Sequence, residues 1–204
     1  MRKPNQAQKA YLEIRKQLVA RVFEPGKRLT EKEWAQKLGF NRFDIREALS
    51  RLLGEGLLTT GSKGGFFVRQ FTASEMKEFN YIRIVLESAA AEEAIVKASL
   101  KDIKELIKIV KLMEDMAKKD FGMGVFEADI DFHQTFIKSA HNKKLEELYQ
   151  YANLPLSTSF GFQKKVSKEE LLSTASLHKS IADALVKKDL PKLLKLIRVG
   201  LEIL

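Results

Sequence analysis

The sequence predicts a mainly α protein in two parts, a first domain of three helices and a β-hairpin, then an all-α antiparallel helical bundle. Three observations predict it. Apolar residues recur at helical spacing along most of the chain, while both glycine and positive charge are concentrated in its first third. Seven of the eleven glycines lie at or before Gly65. Residues 1–70 hold 15 Lys+Arg against 7 Asp+Glu, whereas residues 71–204 hold 21 against 20. A boundary follows at "RQFTAS", which divides the chain into 1–71 and 72–204.

Composition narrows the function classes. The chain has 204 residues, is 45% hydrophobic and contains no cysteine, which excludes disulfides and thiolate metal sites. Its polar start, "MRKPNQAQKAYLEIRKQL", lacks the apolar stretch of a signal peptide, and no run approaches the roughly 18 apolar residues of a membrane span. A soluble, cytoplasmic protein with no membrane partner is expected. The basic first third suits a polyanion, and a solvated lysine-rich surface is the plainer explanation of the same charge.

The elements follow in order. Ala10, Ile14, Leu18 and Val22 share one face of a first helix, which "EPGKRL" ends in a Pro-Gly turn. Thr30 with Glu33 forms a capping box for the short helix "EKEWAQKLG", closed by Gly39. Asn41 caps a third helix from Arg42 to Gly54, and "GLLTTGSKGGFFVRQF" reads as two short strands around a glycine-rich tip. Three helices and a hairpin are the layout of a winged helix-turn-helix.

In the second part, Thr72 and Glu75 cap a long helix whose apolar face is Met76, Phe79, Ile82, Leu86 and Ala90. Further helices are expected from about Leu100 to Lys118, Phe126 to Ala140, Leu145 to Gln163, Lys168 to Val186 and Leu190 onward, the last capped by Asp189 with Pro191 in its first turn.

The third helix carries Arg42 and Arg46 in its first two turns, opposite Ile45, Leu49, Leu52 and Leu53. In a helix-turn-helix those turns meet base edges in the major groove of double-stranded DNA, where the planar arginine fork can bond guanine or clamp a phosphate. The competing explanation is an amphipathic surface helix with Arg46 and Glu47 in local ion pairs. Asn41 and Asp44 are near enough to take part.

Residues 10–70 resemble the winged-helix domain of the GntR transcriptional regulators, through "PG-x-x-L" and the core "REAL-x-RL-x-x-EGLL". The resemblance implies DNA contacts from Lys32, Arg42 and Arg46, and from Lys63, Gly64 and Gly65 of the wing, and Asn41 joins them as a candidate by its position beside Arg42. Asn41 stands where the family usually has Ser or Thr, and Lys32 where it often has Arg. Both can still bond phosphate, so operator preference is expected to differ.

Residues 72–204 resemble the effector-binding domain of the FadR branch, the FCD domain, through "EADIDFHQTFIKSAHNKKL" and "SLHKSIADALVKKDL". Asp129 and His133, four residues apart, project from one helix face, and His178 lies among Leu171, Leu177, Ile181 and Leu185. The resemblance makes Asp129, His133 and His178 ligands of a divalent transition metal (Zn, Ni, Mn or Fe) that holds a small carboxylate effector. Gly200 stands where metal-binding members have a further histidine. Three outcomes stay open: a three-residue site completed by water and effector, a weakened site, or a pocket that bonds its ligand directly. Satisfied core histidines are the structural alternative for His133 and His178, and His141 reads as a surface residue or cap. Arg83 and Glu87, also four apart, either pair with each other or let Arg83 receive the effector's carboxylate.

Together these readings describe a ligand-responsive regulator, a repressor binding a near-palindromic operator as a homodimer, and not an enzyme. Two rivals remain: a metal-dependent enzyme acting on a small carboxylate with a DNA-binding appendage, and a sequence-independent DNA packager.

Overall fold

A computed structural model describes residues 6–19, 22–152 and 166–202. The chain divides into two compact units, Met1–Phe71 and Thr72–Leu204.

In the first unit, α1 (Gln6–Val19) buries Ala10, Ile14 and Leu18 against α3. Val22 falls beyond the helix and is 56% exposed, so the expected apolar face stops one turn earlier. The Pro-Gly turn places Gly26 at φ +80°, in the left-handed region that glycine occupies without strain. Its amide donates to the Val68 carbonyl at 2.8 Å, and the Val68 amide to the Lys27 carbonyl at 2.9 Å. This leads into β1 (Arg28–Leu29), which joins β2 (Leu58–Thr60) and β3 (Phe66–Val68) in an antiparallel sheet of order β1-β3-β2. The expected hairpin is therefore two thirds of a three-stranded sheet. A two-residue strand has too little alternation to read from sequence.

Helix α2 (Glu31–Leu38) opens on Thr30, whose hydroxyl accepts from the Glu33 amide at 3.2 Å, and closes on Gly39 at φ +68°. Trp34 is its buried anchor and meets Phe23 edge-on. Helix α3 (Arg42–Gly54) begins at Asn41, whose side-chain oxygen accepts from the Asp44 amide at 2.8 Å. Ile45, Ala48, Leu49 and Leu52 face the core, which leaves the opposite face of α3 in solvent.

The second unit is helical throughout its described residues: α4 (Ala73–Lys97), α5 (Leu100–Lys118), α6 (Gly122–Ser139), α7 (Lys143–Tyr151), α8 (Lys168–Val186) and α9 (Leu190–Glu202). Helix α5 packs on α6 and α8, while α4 packs on α6 and α9. Met113, Phe132, Phe136, Leu193 and Ile197 are central to one continuous apolar core. Helix α7 ends at Tyr151; the remainder of the helix expected to Gln163 falls, from residue 153 on, outside the described residues. Thr72 and Glu75 form the expected capping box, and Asp189 accepts from the Lys192 amide at 3.1 Å.

The expected apolar face of α4 is rotated. Ile82 is 43% exposed, and the buried positions are Asn80, Arg83, Glu87, Ala90, Ala91 and Ala94. The inward face is polar because it carries a charged network, with Phe79 and Leu86 at its margin.

Candidate functional site

The network is built from four helices. Glu87 of α4 is 1% exposed and lies between two kinds of partner. Its Oε1 accepts from Arg83 Nε at 3.0 Å and from the Tyr149 hydroxyl at 2.8 Å, while its Oε2 is 3.0 Å from His133 Nδ1. That last separation is an ion-pair distance whose angle falls outside hydrogen-bond geometry. Burial alone would push the Glu87 carboxyl up, but the His133 imidazole and the Arg83 guanidinium outweigh it and hold the pKa at about 2.

On the far side of His133, three donors converge. His178 Nε2 lies 3.0 Å from Asp129 Oδ1 and 3.1 Å from His133 Nε2, and His133 Nε2 lies 3.7 Å from Asp129 Oδ1. Helical spacing on α6 brings Asp129 and His133 to one face, and α8 supplies His178 opposite them. The two histidines are buried and the Asp129 side chain is 13% exposed. His178 Nδ1 is 2.8 Å from the Thr174 carbonyl, which fixes Nδ1–H as donor in the neutral ring and turns the Nε2 lone pair toward the cluster. Phe132 packs edge-on against His178 at 4.8 Å between ring centres and limits its rotation.

Charge follows geometry. Burial would lift the Asp129 carboxyl, yet His133 and His178 hold it well below the usual carboxylate range. Burial lowers the His133 pKa against the pull of Glu87. Burial would lower His178 too, but its hydrogen bond and charge contact with Asp129 raise it. Three Lewis-basic atoms thus face one another, and one proton cannot bond all of them. Metal bonds of about 2.1 Å place neighbouring donors roughly 3.0 to 3.4 Å apart, close to the spacing seen. The donor set fits a metal ion, and Asp129, His133 and His178 could hold one.

These residues open onto a cavity of about 110 Å³ that is otherwise lined by Leu177, Ile181, Ile197 and Leu201 together with Ser173, Thr174, Glu87 and Gly200. Gly200 thus faces the cluster but offers no donor. A Cβ there would come within 2.7 Å of Leu177 Cδ2, so a side chain at 200 would require Leu177 to turn aside. Arg83 is 1% exposed and does not line the cavity; its Nη1 has no hydrogen-bond partner among the described residues. His141 lies apart, at φ +49°, with Nε2 2.9 Å from Asp102 Oδ2 at the start of α5.

In the first unit, Lys32, Asn41, Arg42 and Lys63 are exposed, and Gly64 and Gly65 take φ +77° and +93° at the tip between β2 and β3. A Cβ on Gly65 would sit 3.2 Å from Arg28 Nε, a contact that a small shift of the arginine side chain relieves, so it is the positive φ at both positions that calls for glycine. Arg46 pairs with Glu31 of α2 at 3.3 Å, with the two side chains 70% and 30% exposed, in place of the local pair with Glu47. Sequence reasoning missed Tyr149 and the Thr174 carbonyl, and it saw Glu87 only as the partner of Arg83. Tyr149 is 62 positions from Glu87, and no spacing rule reaches that far.

Fold and site together define a two-unit protein of the winged-helix type, whose second, helical unit carries a buried Asp-His-His cluster. Residues 6–68 match the family of bacterial regulatory proteins called gntR, residues 78–201 match the FCD domain, and the chain belongs to the GntR family with an FCD domain. It is 32% identical over 148 residues to the HTH-type transcriptional regulator YdhC of Bacillus subtilis, covering 70% of this chain and 64% of YdhC. It is likewise 32% identical over 123 residues to the Nta operon transcriptional regulator of Aminobacter aminovorans, covering 60% of this chain and 58% of that regulator. Both alignments span under two thirds of the relatives' own length. The fold matches that of Escherichia coli McbR/YncC with a TM-score of 0.88 at 20% identity, over 98% of this chain and 95% of that one. Among the described residues no helix is long and apolar enough to cross a membrane.

Proposed function

We propose that this protein is a cytoplasmic, ligand-responsive transcription regulator of the FadR subfamily, a repressor that binds a palindromic DNA operator as a homodimer and is not an enzyme. The observation that carries the reading is the convergence of Asp129, His133 and His178 on a small cavity, in a chain that also presents Arg42 and Arg46 on an exposed helix.

In the first unit, Lys32, Asn41, Lys63, Gly64 and Gly65 position the duplex while Arg42 and Arg46 read it. Arg46 exchanges Glu31 for DNA at little expense, because an exposed pair contributes at most about 1 kcal/mol. In the second unit, Asp129, His133 and His178 would hold a divalent transition metal, zinc, nickel, manganese or iron; their nitrogen and oxygen atoms suit these ions better than magnesium. When bound, such an ion supplies a Lewis-acidic position for a carboxylate oxygen. Glu87 orients His133, the Thr174 carbonyl orients His178, and Arg83 offsets the charge of Glu87, so that the bound ion is what would attract an anionic effector. Leu177, Ile181 and Ile197 exclude water from the effector's remaining surface. A small organic acid fits a cavity of about 110 Å³. Its control of DNA binding requires different affinity for the two states of the dimer.

The test selects a preferred duplex from a random pool, then measures its binding by the parent, Arg46→Ala and His133→Ala with and without small organic acids. Arg46→Ala is expected to lose about 1 to 3 kcal/mol of specific affinity. His133→Ala is expected to bind the duplex normally, to lose the effector response and to carry no metal by elemental mass spectrometry. Salt-steep binding without sequence preference would replace this reading with a DNA packager, and turnover of an acid lost in His133→Ala would replace it with an enzyme.

A further inference from the structure

We propose that Phe43 reads the operator as well, by packing its ring on the 5-methyl group of a thymine in the major groove. The inference rests on the DNA-binding reading above and adds a specificity-determining residue to it.

Phe43 is 75% exposed, against 53% for Leu12 and 56% for Val22 in the same unit. It is the second residue of α3, next to Arg42 and one turn before Arg46. At about 100° per residue Phe43 stands half a turn away from Leu52, which is fully buried. The ring is therefore at the centre of the outward face, with both arginines to one side of it, Arg46 about 60° and Arg42 about 100° around the helix axis. Local structure gives no reason for it. Asn41 supplies the cap, Asp44 the favourable charge of the first turn, and phenylalanine is a poorer helix former than alanine or the long polar residues. A ring without donors or acceptors cannot bond phosphate or a polar base edge. The apolar feature that the major-groove floor offers is the thymine methyl, which distinguishes T·A from the other pairs. Burying that methyl against the ring removes a hydrophobic group from water on both partners.

The test uses the selected duplex with each thymine replaced in turn by deoxyuridine, which removes the methyl and leaves the hydrogen-bonding edges unchanged. Parent protein is expected to lose roughly four- to tenfold in affinity at one thymine position and its symmetry mate, the worth of one buried methyl or somewhat more. Phe43→Ala is expected to bind the thymine duplex more weakly by a similar factor and to be indifferent to uracil at that position, while still discriminating against substitutions at guanines. Its unfolding temperature should match the parent's, because the side chain is exposed, so a loss of binding cannot be assigned to misfolding. Equal sensitivity to uracil in parent and Phe43→Ala at every position would overturn the proposal, as would unchanged affinity and preference in Phe43→Ala. In either case weakened binding by Arg46→Ala would leave the DNA-binding reading intact; failure of the parent to select any duplex would overturn both.

Discussion

Glu87 shows how much one side chain is asked to do. It balances a buried guanidinium, accepts from Tyr149 and faces His133, so its charge is retained because three partners need it. Replacing it with glutamine keeps the volume and removes the charge. Arg83 is then left buried without its counter-ion, a loss that in other proteins costs about 3 to 5 kcal/mol. Glu87→Gln should therefore lower the chemical-denaturation midpoint strongly, and adding Arg83→Met should recover part of the loss. The pH dependence has a definite sign. A carboxyl held at about 2 against an ordinary 4.5 contributes stability above pH 4.5 and loses it as pH falls from 4.5 toward 2. Denaturation midpoints compared at pH 6 and pH 3 should fall steeply in the parent and less in Glu87→Gln. An equal fall in both would mean that other carboxylates govern the acid limb.

At the scale of elements, much was legible because the signals are local. Asn41, Thr72 and Asp189 each place a side-chain oxygen within reach of an amide three residues on, and helix starts follow from that geometry. Thr72→Ala removes the hydroxyl half of the box, leaving the amide of residue 72 to donate to Glu75, and should cost about 1 kcal/mol, read as a lower unfolding temperature with unchanged helix content at 20 °C. No measurable change would mean that α4 is held by packing alone. The inward face of α4 was illegible for the opposite reason. Periodicity assigns the apolar stripe to the core, and here Asn80, Arg83 and Glu87 lie inside while Tyr81, Ile82 and Val85 lie outside. Buried charges invert the pattern wherever a site is built into a helix. The triad was readable in part: the spacing of Asp129 and His133 is local, whereas the approach of His178 across 45 positions came from family resemblance and not from spacing. Strand β1 escaped because two residues carry no period.

For the whole molecule, a cation at the cluster would compete with the proton that His178 takes up. Asp129 raises the pKa of His178 above its ordinary 6.5, so in metal-free protein this group contributes stability below pH 6.5 and loses it as pH rises through the raised value. A metal ion needs the same Nε2 lone pair and must displace that proton. Its affinity should therefore rise with pH over the range in which His178 deprotonates, with proton release on binding near neutrality. An ion at about 100 times its dissociation constant adds roughly 2.7 kcal/mol to the folded state. For a protein of this size that is an increase of roughly 5 to 11 °C in unfolding temperature. We expect zinc or nickel to raise the transition of the metal-stripped parent more at pH 8 than at pH 6, EDTA to reverse the shift, and His133→Ala to show none. Equal shifts at the two pH values would mean that the proton on His178 does not compete with the ion. No shift with any divalent ion would leave Asp129, His133 and His178 as a buried proton-sharing cluster whose ligand is bonded directly.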